Sequence, residues 1–281
     1  MRVVRSPAEL SAWAEAERRD GRRVGLVPTM GFLHAGHLSL IAGARARTDR
    51  TAVSIFVNPT QFGPSEDFAR YPRDLDGDLA KCRSAGVDLV FAPDAGAMYP
   101  PGHRTFVEVT GLQDGLCAAR RPGHFRGVAT IVAQLFALAR PHLAVFGEKD
   151  WQQLQIIRRL STDLHLGVDV VGMPIVREPD GLAMSSRNAY LSAAERARAV
   201  ALSSGLRAAR ARWTAGERDA GTLREAVRAE LRRAEVREDY VELVEPETLE
   251  PLVRAERPDS RLLVAGFLGA TRLIDNTAVG C

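Results

Sequence analysis

Residues 27–40, with the sequence VPTMGFLHAGHLSL, constrain the fold of this 281-residue chain more than any other stretch. The short apolar run at residues 23–27, bounded by a polar segment and a proline, is typical of a buried strand. After the turn, the apolar side chains of residues 38–44 recur at helical spacing. The stretch therefore predicts a strand, a tight turn and a helix in direct succession.

Two histidines, His34 and His37, lie three residues apart at the start of this predicted helix, and Gly36 allows a close approach of the backbone. The first N–H groups of a helix have no partner within it, and the helix dipole favours an anion there. Each imidazole can donate a hydrogen bond to a phosphate oxygen or carry a proton near neutral pH, which suits a pyrophosphate leaving group. The pattern favours a polyphosphate site. Two alternatives stay open: a simple helix cap, and a metal site, for which two neutral ligands without a third are weak support.

Strand and helix patterns alternate along the first part of the chain. The predicted helices cover residues 1–22, 74–85, 128–138 and 151–160, and the predicted strands cover residues 51–57, 87–91, 143–146 and 168–176. This order is typical of right-handed parallel units, whose ligands collect at the carboxyl ends of the strands. Residues 104–109 alternate between polar and apolar side chains and predict an edge or hairpin strand.

The pattern changes after Val176. Residues 192–235 predict helices rich in Ala, Arg and Glu, and short strands are predicted at residues 239–244, 261–268 and 271–274. We therefore expect an α/β protein: a Rossmann-like parallel-sheet nucleotide-binding domain at residues 1–176 and a smaller α+β C-terminal domain at residues 177–281.

Polar residues follow two of the predicted strands. Asn58 and Gln61 carry amides that suit a small substrate with hydroxyl and carboxylate groups, although asparagine in such a loop is also common in turns. Lys149 follows the strand at residues 143–146 and is one of only two lysines in a chain whose other basic residues are arginines. Its flexible point charge suits a phosphate. A surface ion pair with a neighbouring acidic residue is the alternative.

Two loops carry arginine. Residues 120–127, RRPGHFRG, are either a basic loop in front of a capped helix or a loop that faces an anion. Residues 184–188, MSSRN, follow a Pro-Asp-Gly turn, and their small hydroxyls and Arg187 favour a mobile loop that closes over phosphates.

Composition excludes several classes of protein. The chain is 46% hydrophobic, and its 38 basic and 35 acidic residues are interleaved, which argues against a nucleic-acid partner. The sequence has no secretion signal and no apolar run long enough to span a membrane, so we expect a cytoplasmic protein. Cys82, Cys117 and Cys281 are widely spaced, which argues against a disulfide framework or a zinc site.

Five stretches, taken in order, resemble the pantothenate synthetase family of HxGH nucleotidyltransferases: PTMGFLHAGHLSL, FVNPTQF, RPGHFRGVAT, FGEKDWQQL and VREPDGLAMSSRN. The match covers nearly the whole chain. The MSSRN loop is similar in role to the KMSKS loop of class I aminoacyl-tRNA synthetases. The resemblance implies a ligase that joins (R)-pantoate to β-alanine through a pantoyl adenylate, with ATP as a substrate, Mg²⁺ as a cofactor, and AMP and pyrophosphate as products. It also implies a homodimer.

The resemblance also implies roles for individual residues. The catalytic groups would be His34, His37, Lys149 and Arg187. Gln61 and Gln153 would bind pantoate, and Gln61 would also contact β-alanine. The C-terminal domain would be a lid that carries the MSSRN loop, and the first domain would bind ATP and pantoate. The implied ATP-binding residues are Met30, Gly31, Phe32, Leu33, His34, Ala35, Gly36, His37, Gly147, Glu148, Lys149, Asp150, Val176, Met184, Ser185, Ser186 and Arg187.

The chain departs from the family pattern at a few positions. Asp76 and Asp78 are separated by Gly77 where relatives carry adjacent acidic residues, so a metal contact there is not assigned. Gln134 replaces a common lysine, and Ala137 and His142 replace an asparagine and an aspartate. None of these positions lies in the five stretches that touch the predicted site.

Three rival functions remain. A nucleotidyltransferase for a phosphorylated acceptor would need more cations in the acceptor pocket than the amides of Asn58 and Gln61. A tRNA-charging enzyme is disfavoured because the chain after Val176 shows no concentrated basic or aromatic surface. A nucleotide-binding module without catalysis is the third, and turnover would exclude it.

Overall fold

The computed structural model describes residues 1–64 and 66–280, and its backbone divides into two compact units. The first unit contains Met1–Glu148 and Gln153–Pro174, and the second contains Lys149–Gln152 and the chain from Ile175 onward. A six-stranded parallel sheet and a separate three-stranded antiparallel sheet confirm the predicted fold class. Cys281 lies outside the described residues, whereas Cys82 and Cys117 are buried and form no disulfide with each other.

The sheet of the first unit has its strands in the order β1-β4-β3-β2-β5-β6, and neighbouring strands pair in parallel. The strands are β1 (Arg2–Val4), β2 (Val24–Thr29), β3 (Arg50–Ile55), β4 (Leu89–Phe91), β5 (Leu143–Gly147) and β6 (Asp169–Met173). From β2 the chain adds strands in one direction, and at β5 it returns to the other side of β2. The switch point between β2 and β5 is the place where parallel sheets bind ligands, at the carboxyl ends of the strands.

Helices cover this sheet, and their sequences explain where they begin. In the first of them Ser6 accepts the Glu9 N–H while the Glu9 carboxylate accepts the Ser6 N–H, and Pro7 occupies the first turn. The core against the sheet includes Val27, Ile41 and Val90, all fully buried. The helices are α1 (Pro7–Arg19), α2 (Ala35–Arg45), α3 (Leu75–Ser84), α4 (Ala95–Met98), α5 (Cys117–Arg120), α6 (His124–Ala139) and α7 (Trp151–Asp163).

Two sequence-based predictions about this unit are wrong. Residues 1–22 were expected to be one helix, but Arg2–Val4 pair with Leu89–Phe91 as the edge strand of the sheet. The predicted strand at residues 104–109 does not form. Instead, the Val107 N–H donates to Thr130 Oγ1 of α6 at 3.0 Å, so a side chain replaces a neighbouring strand as its acceptor.

The second unit packs three helices with a three-stranded sheet, as predicted. Its elements are α8 (Ala193–Ala199), α9 (Ala201–Thr214), α10 (Ala220–Arg233), β7 (Arg237–Val244), β8 (Arg261–Leu268) and β9 (Thr271–Ala278). The strands are antiparallel in the order β7-β8-β9. Leu202 and Leu206 of α9 and Leu223 of α10 are almost fully buried in its own core, together with Val264 of β8.

Among the described residues, none of the helices has the length and apolar character needed to span a membrane.

Candidate active site

The turn after β2 has an unusual backbone. Gly31 and Phe32 both lie in the left-handed region, with φ of 82° and 51°, and Phe32 carries the side chain that this region disfavours. The start of the turn is fixed by Thr29, whose Oγ1 donates to the Ser54 carbonyl at 2.8 Å and accepts the Gly31 N–H at 3.2 Å. The predicted tight turn is therefore correct, and its shape depends on β3 as well as on its own sequence.

Asp78 holds the same turn from α3. Its Oδ2 accepts the Phe32 N–H at 2.7 Å and its Oδ1 accepts the Leu33 N–H at 2.7 Å. Burial raises the pKa of this carboxyl, and the two N–H groups, together with Lys81, oppose that rise. From the sequence alone, Asp78 is a candidate only for a metal contact. Nothing in the spacing of residues 33 and 78 could show that the two segments meet.

His34 and His37 form a close pair at the N-terminus of α2. His34 is the N-cap residue, and its Nδ1 accepts the Gly36 N–H at 3.1 Å. The His37 Nδ1 accepts the His34 N–H at 3.3 Å, and the two ring centroids are 4.1 Å apart. An Nδ1 that accepts a hydrogen bond carries no proton, so each neutral ring carries its proton at Nε2. The helix-cap alternative is correct for Nδ1, and Nε2 is the atom of each ring that carries the proton.

Gln61 lies at the end of the neighbouring strand, in a 3-10 turn at Pro59–Gln61, and is 7% exposed. Its Oε1 accepts from Asn58 Nδ2 at 3.2 Å, and its Nε2 donates to Met30 Sδ at 2.8 Å. Asn58 is itself fixed, because its Oδ1 accepts from the Tyr99 hydroxyl at 2.8 Å. Burial raises the pKa of Tyr99, which keeps this hydroxyl a donor. The structure thus brings Gln61 and Met30 together and orients the Gln61 amide through Asn58.

The basic loop at residues 120–127 contacts the same turn. His124 Nδ1 lies 2.8 Å from the Gln61 carbonyl oxygen, to which Arg121 also donates at 3.3 Å. Arg121 pairs with Glu66 through two hydrogen bonds of 2.9 and 2.6 Å. Of the two sequence-based alternatives, the structural role in front of α6 is therefore the one that these contacts support. The sequence did not reveal that Arg121 and His124 support the backbone of Gln61.

The last residue of β5 and the segment after it contain five of the predicted site residues. Gly147 is the last residue of β5, and a Cβ added there would meet no atom within 4 Å. Glu148–Asp150 form a single 3-10 turn, and the ion pair that was the alternative role of Lys149 is a long one, with 4.0 Å between its Nζ and Asp150 Oδ2. Within the second unit, the Lys149 carbonyl accepts from Asn276 Nδ2 at 2.9 Å. Gln153 is half-buried on α7.

The MSSRN segment belongs to the second unit and begins next to Val176. The Met184 N–H donates to the Val176 carbonyl at 3.0 Å, so these two predicted ATP-binding residues are adjacent. Ser185 caps a 3-10 turn, Ser186–Tyr190, by accepting the Arg187 N–H at 3.2 Å. Ser186 is buried, and Arg187 is half-buried.

Known proteins are similar to this chain over nearly its whole length. The model of the family described as pantoate-beta-alanine ligase matches residues 2–278. A pantothenate synthetase of Myxococcus xanthus is 62% identical over 281 residues, which cover 99% of this chain and 96% of that protein.

Two solved structures are similar over the whole chain. The pantothenate synthetase of Thermus thermophilus superposes with a TM-score of 0.94 at 49% identity, and 99% of each chain is covered. The pantoate-beta-alanine ligase of Francisella tularensis, solved in complex with beta-gamma ATP and beta-alanine, has a TM-score of 0.84 at 30% identity. The alignment covers 100% of this chain and 98% of that one. The chain therefore belongs to the pantoate-beta-alanine ligase family.

Proposed function

We propose that this protein condenses (R)-pantoate with β-alanine to form pantothenate, using ATP and releasing AMP and pyrophosphate. The observation that carries the proposal is the His34–His37 pair, whose rings carry their protons at Nε2 at a helix N-terminus. Met30, in the turn that leads to this pair, contacts the Gln61 amide. Family membership and the ligand-bound Francisella relative support the choice of substrates.

The proposed reaction has two steps. In the first, a pantoate carboxylate oxygen attacks the α-phosphorus of ATP. The bond between the α-phosphorus and the oxygen that bridges it to the β-phosphorus breaks, and pyrophosphate leaves. In the second, the β-alanine amine attacks the acyl carbon of the pantoyl adenylate, AMP leaves, and the amine loses a proton. A carboxylate needs no base to act as a nucleophile, so the first step depends on positioning and on donors at the phosphates.

We assign the roles of the residues on that basis. The Nε2–H groups of His34 and His37 donate to the phosphates, and the backbone of Met30–Leu33 lies beside the nucleotide. Gln61 binds pantoate and contacts β-alanine, because Asn58 orients its amide.

The remaining assignments stay proposals drawn from the resemblance. Gln153 binds pantoate, Lys149 and Arg187 contribute positive charge to the phosphates, and the other ATP-binding residues act as the family resemblance implies. The functional boundary at Val176 is also a proposal. It is supported by the division of the backbone between Pro174 and Ile175.

Mg²⁺ is proposed to enter with the triphosphate. The described residues contain no group of three or more His, Cys, Asp or Glu side chains placed to hold a metal ion. Mg²⁺ keeps several waters and binds through substrate phosphates and few protein ligands, so it needs no such cluster of side chains. When bound, Mg²⁺ neutralises charge on the phosphates.

We also propose that the protein is a cytoplasmic homodimer that binds neither nucleic acid nor membranes. The family resemblance supports the dimer, and light scattering of the purified protein would test it.

The test of the proposed function is pyrophosphate release from ATP and Mg²⁺, measured with and without pantoate and then with β-alanine. We expect pyrophosphate only when pantoate is present, and AMP with pantothenate only after β-alanine is added. Pyrophosphate release that does not depend on pantoate would instead favour a different nucleotidyltransferase. The absence of turnover with any of these substrates would favour a nucleotide-binding module.

A further inference from the structure

The turn that leads into the His34–His37 pair adopts a backbone that its own sequence does not favour. Gly31 and Phe32 are consecutive residues with positive φ, and only the first is a glycine. Consecutive left-handed residues are held when something outside the turn fixes them. The two N–H groups that follow, on Phe32 and Leu33, face a single side chain, that of Asp78.

Both oxygens of the Asp78 carboxylate are engaged by this turn. The side chain is 1% exposed, and each oxygen accepts one backbone N–H at 2.7 Å. The nearest cation is Lys81, whose Nζ is 3.8 Å from Oδ1 and whose side chain is 40% exposed. No other side chain can replace this buried carboxylate without loss, because its two oxygens lie side by side and both accept hydrogen bonds.

The close approach of Asp78 depends on the shape of the turn. A Cβ added at Gly31 would lie 3.0 Å from Asp78 Oδ2 and 3.1 Å from Ile55 Cγ2. A side chain at position 31 would therefore crowd the carboxylate and Ile55, in addition to the strain of a positive φ. His34, two residues after Phe32, is the N-cap of α2, so the position of the turn sets the position of the helix N-terminus.

We propose that Asp78 is a positioning residue for ATP: it fixes the backbone of Phe32 and Leu33, and thereby aims the Nε2–H donors of His34 and His37 at the phosphates. The inference rests on the proposed function of that turn in binding ATP. Both oxygens of Asp78 already accept backbone N–H groups, so the role inferred for Asp78 is to hold the backbone of the turn.

The test compares Asp78→Asn with Asp76→Asn. An asparagine at position 78 has nearly the same shape but keeps only one acceptor, so one of the two N–H groups faces an amide donor. Asp76 lies in the same first turn of α3, is exposed, and loses the same charge when it becomes asparagine. Any general effect of charge on α3 therefore appears in both variants.

For Asp78→Asn we expect ATP affinity, measured by calorimetry without pantoate, to fall about tenfold or more. The rate of pantoate-dependent pyrophosphate release per folded molecule should fall at least as much, while the KM for β-alanine stays unchanged. Hydrogen exchange of the peptide that covers residues 30–37, measured by mass spectrometry, should become faster. Asp76→Asn should behave like the wild-type protein in all four measurements.

A merely structural role gives a different result. If Asp78→Asn only lowers the melting temperature, while its folded molecules keep wild-type ATP affinity and wild-type exchange in residues 30–37, the proposal is overturned. Equal effects of the two variants would also overturn it. If Asp78→Asn does not yield folded protein, Asp78→Glu replaces it, because glutamate keeps the charge but moves the carboxylate against the turn. The same losses are then expected, and wild-type ATP affinity in that variant would overturn the proposal.

The calorimetry separates this inference from the proposed function. A wild-type protein that binds ATP but releases no pyrophosphate with pantoate would contradict the proposed reaction, while the comparison of ATP affinities would still decide the role of Asp78.

Discussion

The two histidines of the HxGH turn use Nδ1 for the fold, because Nδ1 of each ring accepts a backbone N–H. We propose that Nε2, which carries the ring proton, serves the phosphates. The sequence predicted the donor role, since two histidines at a helix start suit phosphates. It could not assign the tautomer, because that depends on which backbone N–H each Nδ1 meets in three dimensions.

This division of tasks makes the phosphate role of His37 testable. His37→Asn keeps an acceptor near the position of Nδ1 but removes the Nε2–H donor, whereas His37→Gln keeps a donor near Nε2 and removes the acceptor. We expect His37→Asn to lower pantoate-dependent pyrophosphate release on the order of 10² or more, the usual effect of losing one preorganised donor. The measurement is single-turnover adenylate formation.

His37→Gln serves as the matched variant for this experiment. It should retain more adenylate formation than His37→Asn but unfold at a lower urea concentration, because the His34 N–H loses its acceptor. Wild-type pyrophosphate release in His37→Asn would contradict the role assigned to Nε2.

Cys82 should be unreactive in the folded protein. Its side chain is fully buried, and burial, with the Asp78 carboxylate nearby, raises its pKa to about 11. At pH 8 only about one thiol in a thousand is a thiolate. We expect iodoacetamide to leave the Cys82 peptide unmodified in the native protein and to alkylate it in urea, as read by mass spectrometry. Rapid alkylation of native protein would show that α3 opens.

At the scale of secondary-structure elements, the contact between α6 and the Asn58–Gln61 turn is the one that most affects the candidate site. Gly127 of α6 lies against the backbone of Thr60, and its own carbonyl accepts from Asn58 Nδ2 at 3.0 Å. The sequence predicted α6 from its apolar run and Gln61 as a ligand residue. The pairing of the two could not be predicted, because Gly127 and Thr60 are far apart in the chain.

Gly127→Ala tests this contact. An added Cβ would lie 2.3 Å from the Thr60 carbonyl oxygen, so α6 or the turn must shift. We expect a loss of about 1–3 kcal/mol in the free energy of unfolding, as for other overpacked sites. The better helix propensity of alanine opposes this loss by about 1 kcal/mol at most. The KM for pantoate should rise, because Gln61 moves with the turn.

The control for this substitution is Gly115→Ala, where an added Cβ would meet no atom within 4 Å. Urea unfolding and steady-state kinetics of both variants provide the measurements. If Gly127→Ala were more stable than the wild-type protein with an unchanged KM for pantoate, helix propensity would outweigh the close contact, and the turn would not depend on α6.

At the scale of the whole molecule, periodicity predicted most helices and strands and the fold class, because the core faces of this chain repeat at regular spacing. The first strand was missed since three residues are too few to show a period, and they are stabilised by pairing with Leu89–Phe91. The strand at residues 104–109 was predicted wrongly because alternation alone cannot reveal that Thr130 takes the place of a neighbouring strand. Long-range partners decide both cases.

Global stability should decrease below about pH 6.5 through His142. Its Nδ1 accepts the Val24 N–H at 3.0 Å, and burial, followed by the charges of Arg18 and Arg23, lowers its pKa. The unfolded chain therefore binds a proton near pH 6.5 that the folded protein does not. The free energy of unfolding falls as the pH drops below about 6.5, until the lower pKa of the folded protein is reached. Well above pH 6.5, His142 is neutral in both states and contributes no pH dependence.

Urea unfolding between pH 5 and 7.5 measures this effect. His142→Asn, which keeps an acceptor for the Val24 N–H, should flatten the decline. His165→Asn changes an exposed histidine and should retain the wild-type profile. An unchanged profile in His142→Asn would assign the decline to other groups.

The His34 and His37 rings serve the fold through Nδ1 and, as proposed, the reaction through Nε2, and this double use limits how the sequence can diverge. Because Nδ1 of each ring completes the N-terminus of α2, selection for a stable fold and selection for turnover act on the same two positions. A descendant that no longer needed the reaction would still need an acceptor at both places. Asparagine, which supplies a cap oxygen without the Nε2–H donor, is then the replacement to expect. An asparagine at both positions in a relative would mark a lineage that kept the scaffold and abandoned the chemistry.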